Sequence, residues 1–159
     1  MTVATRVIEI KRVYGAPRER VWRAWTDPRR FERWWVPAPA RCRVEAMELV
    51  PGGAFRTLIS TDDGAFVPHM NACVLAVDDG ARLLFTDALT GGWRPASQSF
   101  MTAEITLADH PDGTAYRARA MHRDRTDRDT HENLGFFDGW GSVVGQLADL
   151  VESETKESP

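Results

Sequence analysis

Residues 12–35, with the sequence RVYGAPRERVWRAWTDPRRFERWW, are predicted to join the end of a strand to two short helices. Alternating apolar and polar side chains over 5–14 indicate the strand. Pro17 suits a first helical turn, because the N–H that proline lacks would have no partner there. Asp27 can cap a second helix, over about 28–35, by accepting hydrogen bonds from its free N–H groups. We therefore expect two short helices directly after the first strand.

From residue 40 to residue 123, apolar side chains recur at every second position, which is the period of a β-strand. Turn-forming residues at 51–53 (Pro-Gly-Gly) and 78–80 (Asp-Asp-Gly) separate the segments, and connections this short join antiparallel neighbours. With the strand at 5–14, the chain is expected to form an antiparallel sheet of about seven strands. The six further strands are predicted over 41–50, 54–60, 66–77, 82–89, 98–108 and 114–123.

The C-terminal part of the chain is predicted to form one long helix over about 130–153. Asp129 followed by Glu132 is typical of a capping box at its start. A sheet with one apolar face has to bury that face, and this helix has the widest apolar stripe in the chain. We therefore expect an α+β fold in which a curved sheet grips the helix and encloses a space. The stripe consists of residues spaced by four and three: Phe136, Trp140, Val143, Leu147 and Leu150.

The composition is that of a single globular domain, with 159 residues, 43% hydrophobic residues and a net charge of −3. This charge argues against a nucleic-acid partner, and no apolar run has the length of a membrane span or a signal peptide. Two cysteines, Cys42 and Cys73, cannot build a disulfide framework, so a cytoplasmic location is expected. We expect one domain over 1–159, with an ordered core over about 5–152, a polar tail at 153–159, no cofactor and no membrane partner. The sequence leaves homodimerisation open.

Several shorter segments follow 12–35 in an order and spacing that match a known family. They are 51–55 (PGGAF), 82–86 (RLLFT), the turn Gly113-Thr114, and Gly139-Trp140 followed by Leu147. With them, residues 5–152 resemble activator of heat-shock-protein-90 ATPase-like (AHSA-type) domains of the START-like, SRPBCC or Bet v 1-like superfamily. The resemblance implies a helix-grip fold with a hydrophobic cavity between the sheet and the long helix. It implies no single activity, because its members include lipid carriers, polyketide cyclases and co-chaperone domains.

The side chains expected to face this cavity follow from the alternation along strands. One face of the strand 66–77 and the less charged face of the strand 114–123 are assigned to the cavity. Asp87 stands where the resemblance implies an aromatic wall residue, and Trp93 lies in a loop that could act as a gate. Apolar walls with a few polar groups are typical of a small-molecule site. The predicted ligand-binding residues are His69, Asn71, Asp87, Trp93, Tyr116, His122, Phe136 and Trp140.

Three functions fit these residues. The first is binding of a small hydrophobic or aromatic molecule. The second is acid–base catalysis on a polyketide-like substrate, which needs His69 or His122 within hydrogen-bond reach of Asp87 or Tyr116. No catalytic residue is assigned, because a histidine in a strand more often has a structural role. The third is a protein-interaction module with an exposed apolar face and a filled cavity. No metal site is expected, since the candidate ligands, among them His131, have no tight spacing on one element.

Overall fold

The structure, a computed structural model, describes residues 3–61 and 64–157 of the chain. A 3-10 turn, Val3–Arg6, precedes the first strand. The strands are β1 Val7–Tyr14, β2 Arg41–Met47, β3 Ala54–Ser60, β4 Val67–Asp78, β5 Arg82–Thr86, β6 Leu89–Thr90, β7 Arg94–Pro95, β8 Thr102–His110 and β9 Gly113–Met121. The helices are α1 Arg18–Thr26, α2 Pro28–Phe31, α3 Arg125–Asn133 and α4 Phe136–Glu157.

Seven strands form one antiparallel sheet in the order β1-β9-β8-β5-β4-β3-β2, which confirms the predicted sheet. The other two strands, β6 and β7, form a separate two-stranded ribbon. The sequence predicted a loop at 90–97 there. Strands of two residues are too short to produce a periodic pattern, so only the tertiary structure reveals the ribbon.

Two short helices follow β1, as predicted. The side chain of Asp27 accepts a hydrogen bond from the backbone N–H of Arg29 at 3.0 Å, so the predicted cap of the second helix is confirmed. That helix, α2, ends at Phe31 and is shorter than predicted. Trp34 follows in a turn and donates from Nε1 to the carbonyl oxygen of Ala24 at 2.9 Å, which ties the turn to α1.

Helix α4 covers the apolar face of the sheet, and its buried side chains belong to the same hydrophobic core as those of the strands. The hydroxyl of Tyr14 in β1 donates to the carbonyl oxygen of Val144 at 3.1 Å, which joins the sheet to the helix. This arrangement of a curved antiparallel sheet and a long C-terminal helix is the helix-grip fold that the sequence predicted.

The single helix predicted over about 130–153 is wrong, because two helices occupy this region. A break at Leu134–Gly135, where Gly135 has a φ of 95°, separates α3 from α4. The predicted capping box is also wrong. Asp124 caps α3 by accepting from the N–H of Asp127 at 2.9 Å, and Glu132 lies inside that helix. The sequence of 123–133 does not indicate α3, because its side chains are mostly charged or polar and form no apolar stripe of the kind that predicts a helix.

Candidate functional site

An open cavity of about 780 Å³ lies between α4, the strands β3 and β4, and the segment 94–101. From α4 it is lined by Gly139, Trp140 and Val143, and from β3 by Ile59. Its volume falls within the range of about 300–1000 Å³ that is typical of small-molecule sites. The cavity therefore has the size of a pocket for a small organic molecule.

The wall of the cavity nearest α2 is formed by Trp35, Val36 and Pro37. Gln146 of α4 fixes this segment in place. Its Nε2 donates to the carbonyl oxygens of Trp34 and Val36 at 3.0 and 2.8 Å, and its Oε1 accepts from the N–H of Ala38 at 2.7 Å. One helical side chain thereby holds the wall against α4.

Three large aromatic side chains line the cavity. Trp35 and Trp140 meet with their ring centroids 6.2 Å apart, and Phe100 lines the cavity from the segment 94–101. The polar lining includes His69, Asn71, Asp87 and Gln98. The segment 94–101 adds further polar side chains, among them Arg94, Ser97 and Ser99. The site thus combines aromatic rings, which bury apolar area, with polar and charged groups that can orient a ligand.

His69 reaches the cavity because of a β-bulge in β4. The register between β3 and β4 shifts so that Thr57 lies opposite both His69 and Met70. Nδ1 of His69 lies 3.4 Å from Oγ1 of Thr57, which also accepts from the N–H of Met70 at 3.2 Å. His69 opens to the cavity, whose walls partly desolvate the imidazole and lower its pKa.

Beyond the bulge, the alternation predicted for β4 is wrong. Ala72 and Val74 belong to the hydrophobic core, whereas the sequence assigned Asn71 and Cys73 to that face. A bulge inserts one residue and so reverses the faces of the residues that follow. Asn71 nevertheless lies in the cavity lining.

Asp87 serves as an anchor for the segment that carries Phe100. Its Oδ1 accepts hydrogen bonds from the backbone N–H groups of Phe100 and Met101 at 2.7 and 3.0 Å. The carboxylate therefore positions one wall of the cavity. The hydrogen bonds of His69 go to Thr57 and those of His122 go to Arg6 and His131, so the hypothetical pairing of either histidine with Asp87 is absent from the described hydrogen bonds.

Three predicted ligand-binding residues lie elsewhere. Tyr116 is only 2% exposed and packs edge-on against Tyr14, with centroids 5.1 Å apart, in the core. Trp93 is half exposed, and its indole lies over Gly52, outside the cavity lining. His122 is buried behind the cavity wall. Of the remaining residues, Trp140 lines the cavity, and the side chain of Phe136 lies outside the described part of the structure.

Two buried histidines form a pair beside the cavity. Nε2 of His122 lies 2.8 Å from Nδ1 of His131, and Nδ1 of His122 lies 3.0 Å from the carbonyl oxygen of Arg6. His131 lines the cavity, and Phe100 packs edge-on against its ring at 4.5 Å. The sequence does not mark His131 as a cavity residue, because His131 lies in a charge-dense stretch that has no apolar helical stripe.

Burial, and then the neighbouring His122, lower the pKa of His131 from 6.5 to about 4. The folded protein therefore keeps this imidazole neutral, whereas the unfolded chain takes up a proton as the pH falls below 6.5. We expect stability to decrease between pH 6.5 and about 4, by on the order of 2 kcal/mol from His131, as urea unfolding at a series of pH values would measure. Glu104, whose pKa is lowered first by its hydrogen bond to Arg82, contributes only below about pH 4.5.

The variant His131→Phe should make this pH dependence shallower, whatever its stability at neutral pH, and should leave the part that comes from His69, whose pKa burial also lowers. His110→Gln is the matched control, because His110 is the last residue of β8, away from the pair, and the variant should keep the wild-type slope. If the free energy of unfolding falls with pH equally steeply in wild type and in His131→Phe across this window, the prediction is contradicted.

Within residues 3–61 and 64–157, no group of three or more histidine, cysteine, aspartate or glutamate side chains is arranged to hold a metal ion. In the same described part, no helix has the length and apolar character needed to cross a membrane.

The comparisons with known proteins cover most of the chain. A family model described as activator of Hsp90 ATPase homolog 1-like protein matches residues 15–152. No curated protein matches the chain in sequence.

Solved structures of bacterial proteins have the same fold. A protein of Nitrosomonas europaea is 38% identical and has a TM-score of 0.87, over 96% of this chain and 98% of that one. A protein of Chromobacterium violaceum is 27% identical and has a TM-score of 0.74, over 92% of this chain and 97% of that one. A protein of Mycobacterium smegmatis, 23% identical with a TM-score of 0.77, is similar over 94% of this chain and 93% of its own.

Proposed function

The chain belongs to the activator of Hsp90 ATPase homolog 1-like family, and from that premise we propose that it binds a small hydrophobic or aromatic molecule in the cavity between the sheet and α4. The observation that carries the proposal is a cavity of about 780 Å³ whose walls include the rings of Trp35, Phe100 and Trp140. Burying an apolar ligand there gains roughly 25 cal/mol for each Å² removed from water. The polar groups at its edge then set the orientation of the ligand.

Binding is favoured over the two other functions that the sequence suggested. Acid–base catalysis needed a histidine paired with Asp87 or Tyr116. Asp87 instead accepts from two backbone N–H groups, and Tyr116 is buried in the core. An interaction module would be expected to fill its interior with side chains, which a cavity of this size argues against.

We expect Gly139→Leu to weaken binding of the uncharged fluorescent probe N-phenyl-1-naphthylamine. Gly139 lines the cavity, and a Cβ built there meets no atom within 4 Å, so a leucine can extend into the cavity without disturbing the helix. Overlap of this kind costs about 1–3 kcal/mol, so the Kd from a fluorescence titration should rise about fivefold to 150-fold.

The matched control is Gly141→Leu, the same substitution two residues further along α4. Gly141 is exposed, a Cβ there also meets no atom within 4 Å, and it does not line the cavity. This variant should bind the probe within about twofold of wild type, since it leaves the cavity unchanged. Equal weakening by both substitutions, or by neither, would contradict binding in this cavity.

Native mass spectrometry of the protein, freshly purified from its own host, identifies the natural ligand. A stoichiometric small molecule, lost in Gly139→Leu and retained in Gly141→Leu, is the expected result. The proposed function would be overturned if the purified protein carried no such molecule and also failed to bind the probe.

A further inference from the structure

Arg94 is the one arginine or lysine among the described residues that line the cavity. It lies in β7, where the two-stranded ribbon pairs it with Thr90 of β6. Residues paired across an antiparallel ladder project from the same face, and Thr90 also lines the cavity. The face of the ribbon that carries these two side chains therefore borders the cavity.

The guanidinium of Arg94 is unpaired within the described part of the structure. There its side chain takes part in no hydrogen bond or ion pair, since the bond from Oγ1 of Thr90, at 3.4 Å, goes to its backbone carbonyl oxygen. In contrast, Arg82 of the main sheet is paired with Glu104 at 2.8 Å. A guanidinium is always charged and has five N–H donors, so Arg94 presents a cation that a ligand can engage.

The other ionisable groups of the described lining do not cancel this charge. Its only carboxylate, that of Asp87, accepts from the backbone N–H groups of Phe100 and Met101 at 2.7 and 3.0 Å. The imidazoles of His69 and His131 are neutral at physiological pH, because burial lowers their pKa. The charge left without a counterion is therefore a single positive one, and it attracts a ligand with one negative charge.

Backbone hydrogen bonds hold the stretch of chain that carries Arg94. The N–H of Gly92 donates to the carbonyl oxygen of Gly52 at 2.8 Å, and the N–H of Ala96 donates to that of Ala88 at 3.0 Å. Arg94 lies between these two contacts, so its backbone is fixed before a ligand arrives, which reduces the entropy lost on binding.

We propose that the ligand is an aromatic or other apolar carboxylic acid, bound as its carboxylate, and that the guanidinium of Arg94 pairs with this carboxylate. This inference rests on the proposed function and adds to it the charge of the ligand. A guanidinium binds a carboxylate through two parallel N–H···O bonds. Ser97, Gln98 and Ser99, which also line the cavity, have further hydroxyl and amide donors. The apolar part of the acid packs against the aromatic rings of the cavity.

The test compares 2-naphthoate with 2-naphthamide, which has nearly the same shape and no charge. Each is titrated against protein loaded with N-phenyl-1-naphthylamine, and displacement of the probe gives its Kd. An ion pair at an exposed arginine predicts that 2-naphthoate binds about three- to tenfold more tightly than the amide. Raising the salt concentration should reduce this preference, because salt screens the attraction between the charges, and should leave the Kd of the amide nearly unchanged.

Arg94→Gln should abolish the preference, since it removes the charge from an exposed position and keeps a polar side chain there. Arg94→Lys should keep part of it, because lysine retains the charge without the paired donors. The matched control is Arg23→Gln, which removes the same charge from an exposed position of α1 outside the cavity lining. This variant should have the wild-type preference.

The outcomes separate the two proposals. If wild type binds the probe but shows no preference for 2-naphthoate, or if the preference persists in Arg94→Gln, the inference about Arg94 is wrong and the proposed function stands. A preference lost equally in Arg23→Gln would come from the net charge of the protein and would overturn the inference in the same way. If neither ligand displaces the probe and the probe itself does not bind, both proposals are overturned.

Discussion

Replacing Phe31 with alanine is expected to lower the free energy of unfolding by about 3–5 kcal/mol, as urea denaturation would measure. Phe31 is fully buried at the end of α2, and its ring stacks on Trp35 with centroids 4.8 Å apart. The rings of Trp34 and Phe55 lie at 5.2 and 5.3 Å. Truncation would leave an empty space at the centre of this aromatic cluster, because neighbouring rings held from several sides cannot all move to fill it.

Phe100→Ala is the matched control, since it removes the same ring from a site that is 37% exposed. Its cost should be less than half that of Phe31→Ala, because solvent can replace part of the lost contact. Phe31→Leu should recover most of the loss, as it refills much of the volume. A loss below about 1.5 kcal/mol for Phe31→Ala would mean that the cluster can close around the missing ring.

The second large effect is expected for Gly113→Ala, with a loss of more than about 3 kcal/mol of stability. Gly113 begins β9 with a φ of 139°, a conformation that side chains rarely adopt. A Cβ at this position would overlap the carbonyl oxygen of Tyr14 and lie 2.8 Å from the backbone nitrogen of Ala16. Both neighbours are backbone atoms, which cannot move aside without displacing the link between β1 and α1.

Gly80→Ala separates the two causes of this loss. Gly80 also has a positive φ, 73°, but a Cβ there meets no atom within 4 Å. Its replacement should therefore cost about 1 kcal/mol, from backbone strain alone. The difference between the two variants measures the overlap with Tyr14 and Ala16. Similar losses for both would show that the overlap is relieved by a small shift of the chain.

The segments with a strong local signal were predictable from sequence. The pair Asp27-Pro28 predicted a cap that forms as expected, because capping depends on atoms only two residues apart. The alternation over 98–108 and 114–123 predicted two strands, and the strands observed there, β8 and β9, pair directly. The helix α3 was missed, since most of its side chains are charged or polar, such as Arg128, which pairs with Glu132 at 2.9 Å, and they leave no hydrophobic period to detect.

The candidate site was only partly predictable. His69 and Trp140 line the cavity as expected, whereas Tyr116 packs in the core against Tyr14. Alternation tells which side chains share a face, but not which part of that face is covered by other side chains and which part is left open. His131 and Phe100 reach the cavity from segments without a regular pattern, so their places depend on contacts between elements far apart in the chain.

The sequence by itself determined the fold class, the succession of the seven main strands and the family, because turns, caps and hydrophobic periods act over a few neighbouring residues. Only the tertiary structure decided which groups meet at the cavity. The bulge opposite Thr57 changes which side chains of β4 face the core. The carboxylate of Asp87 accepts hydrogen bonds from backbone N–H groups, and the imidazole of His122 lies within hydrogen-bond distance of that of His131. Each of these results from packing between distant segments, where a shift of one residue or a few ångströms changes the chemistry while the local pattern stays the same.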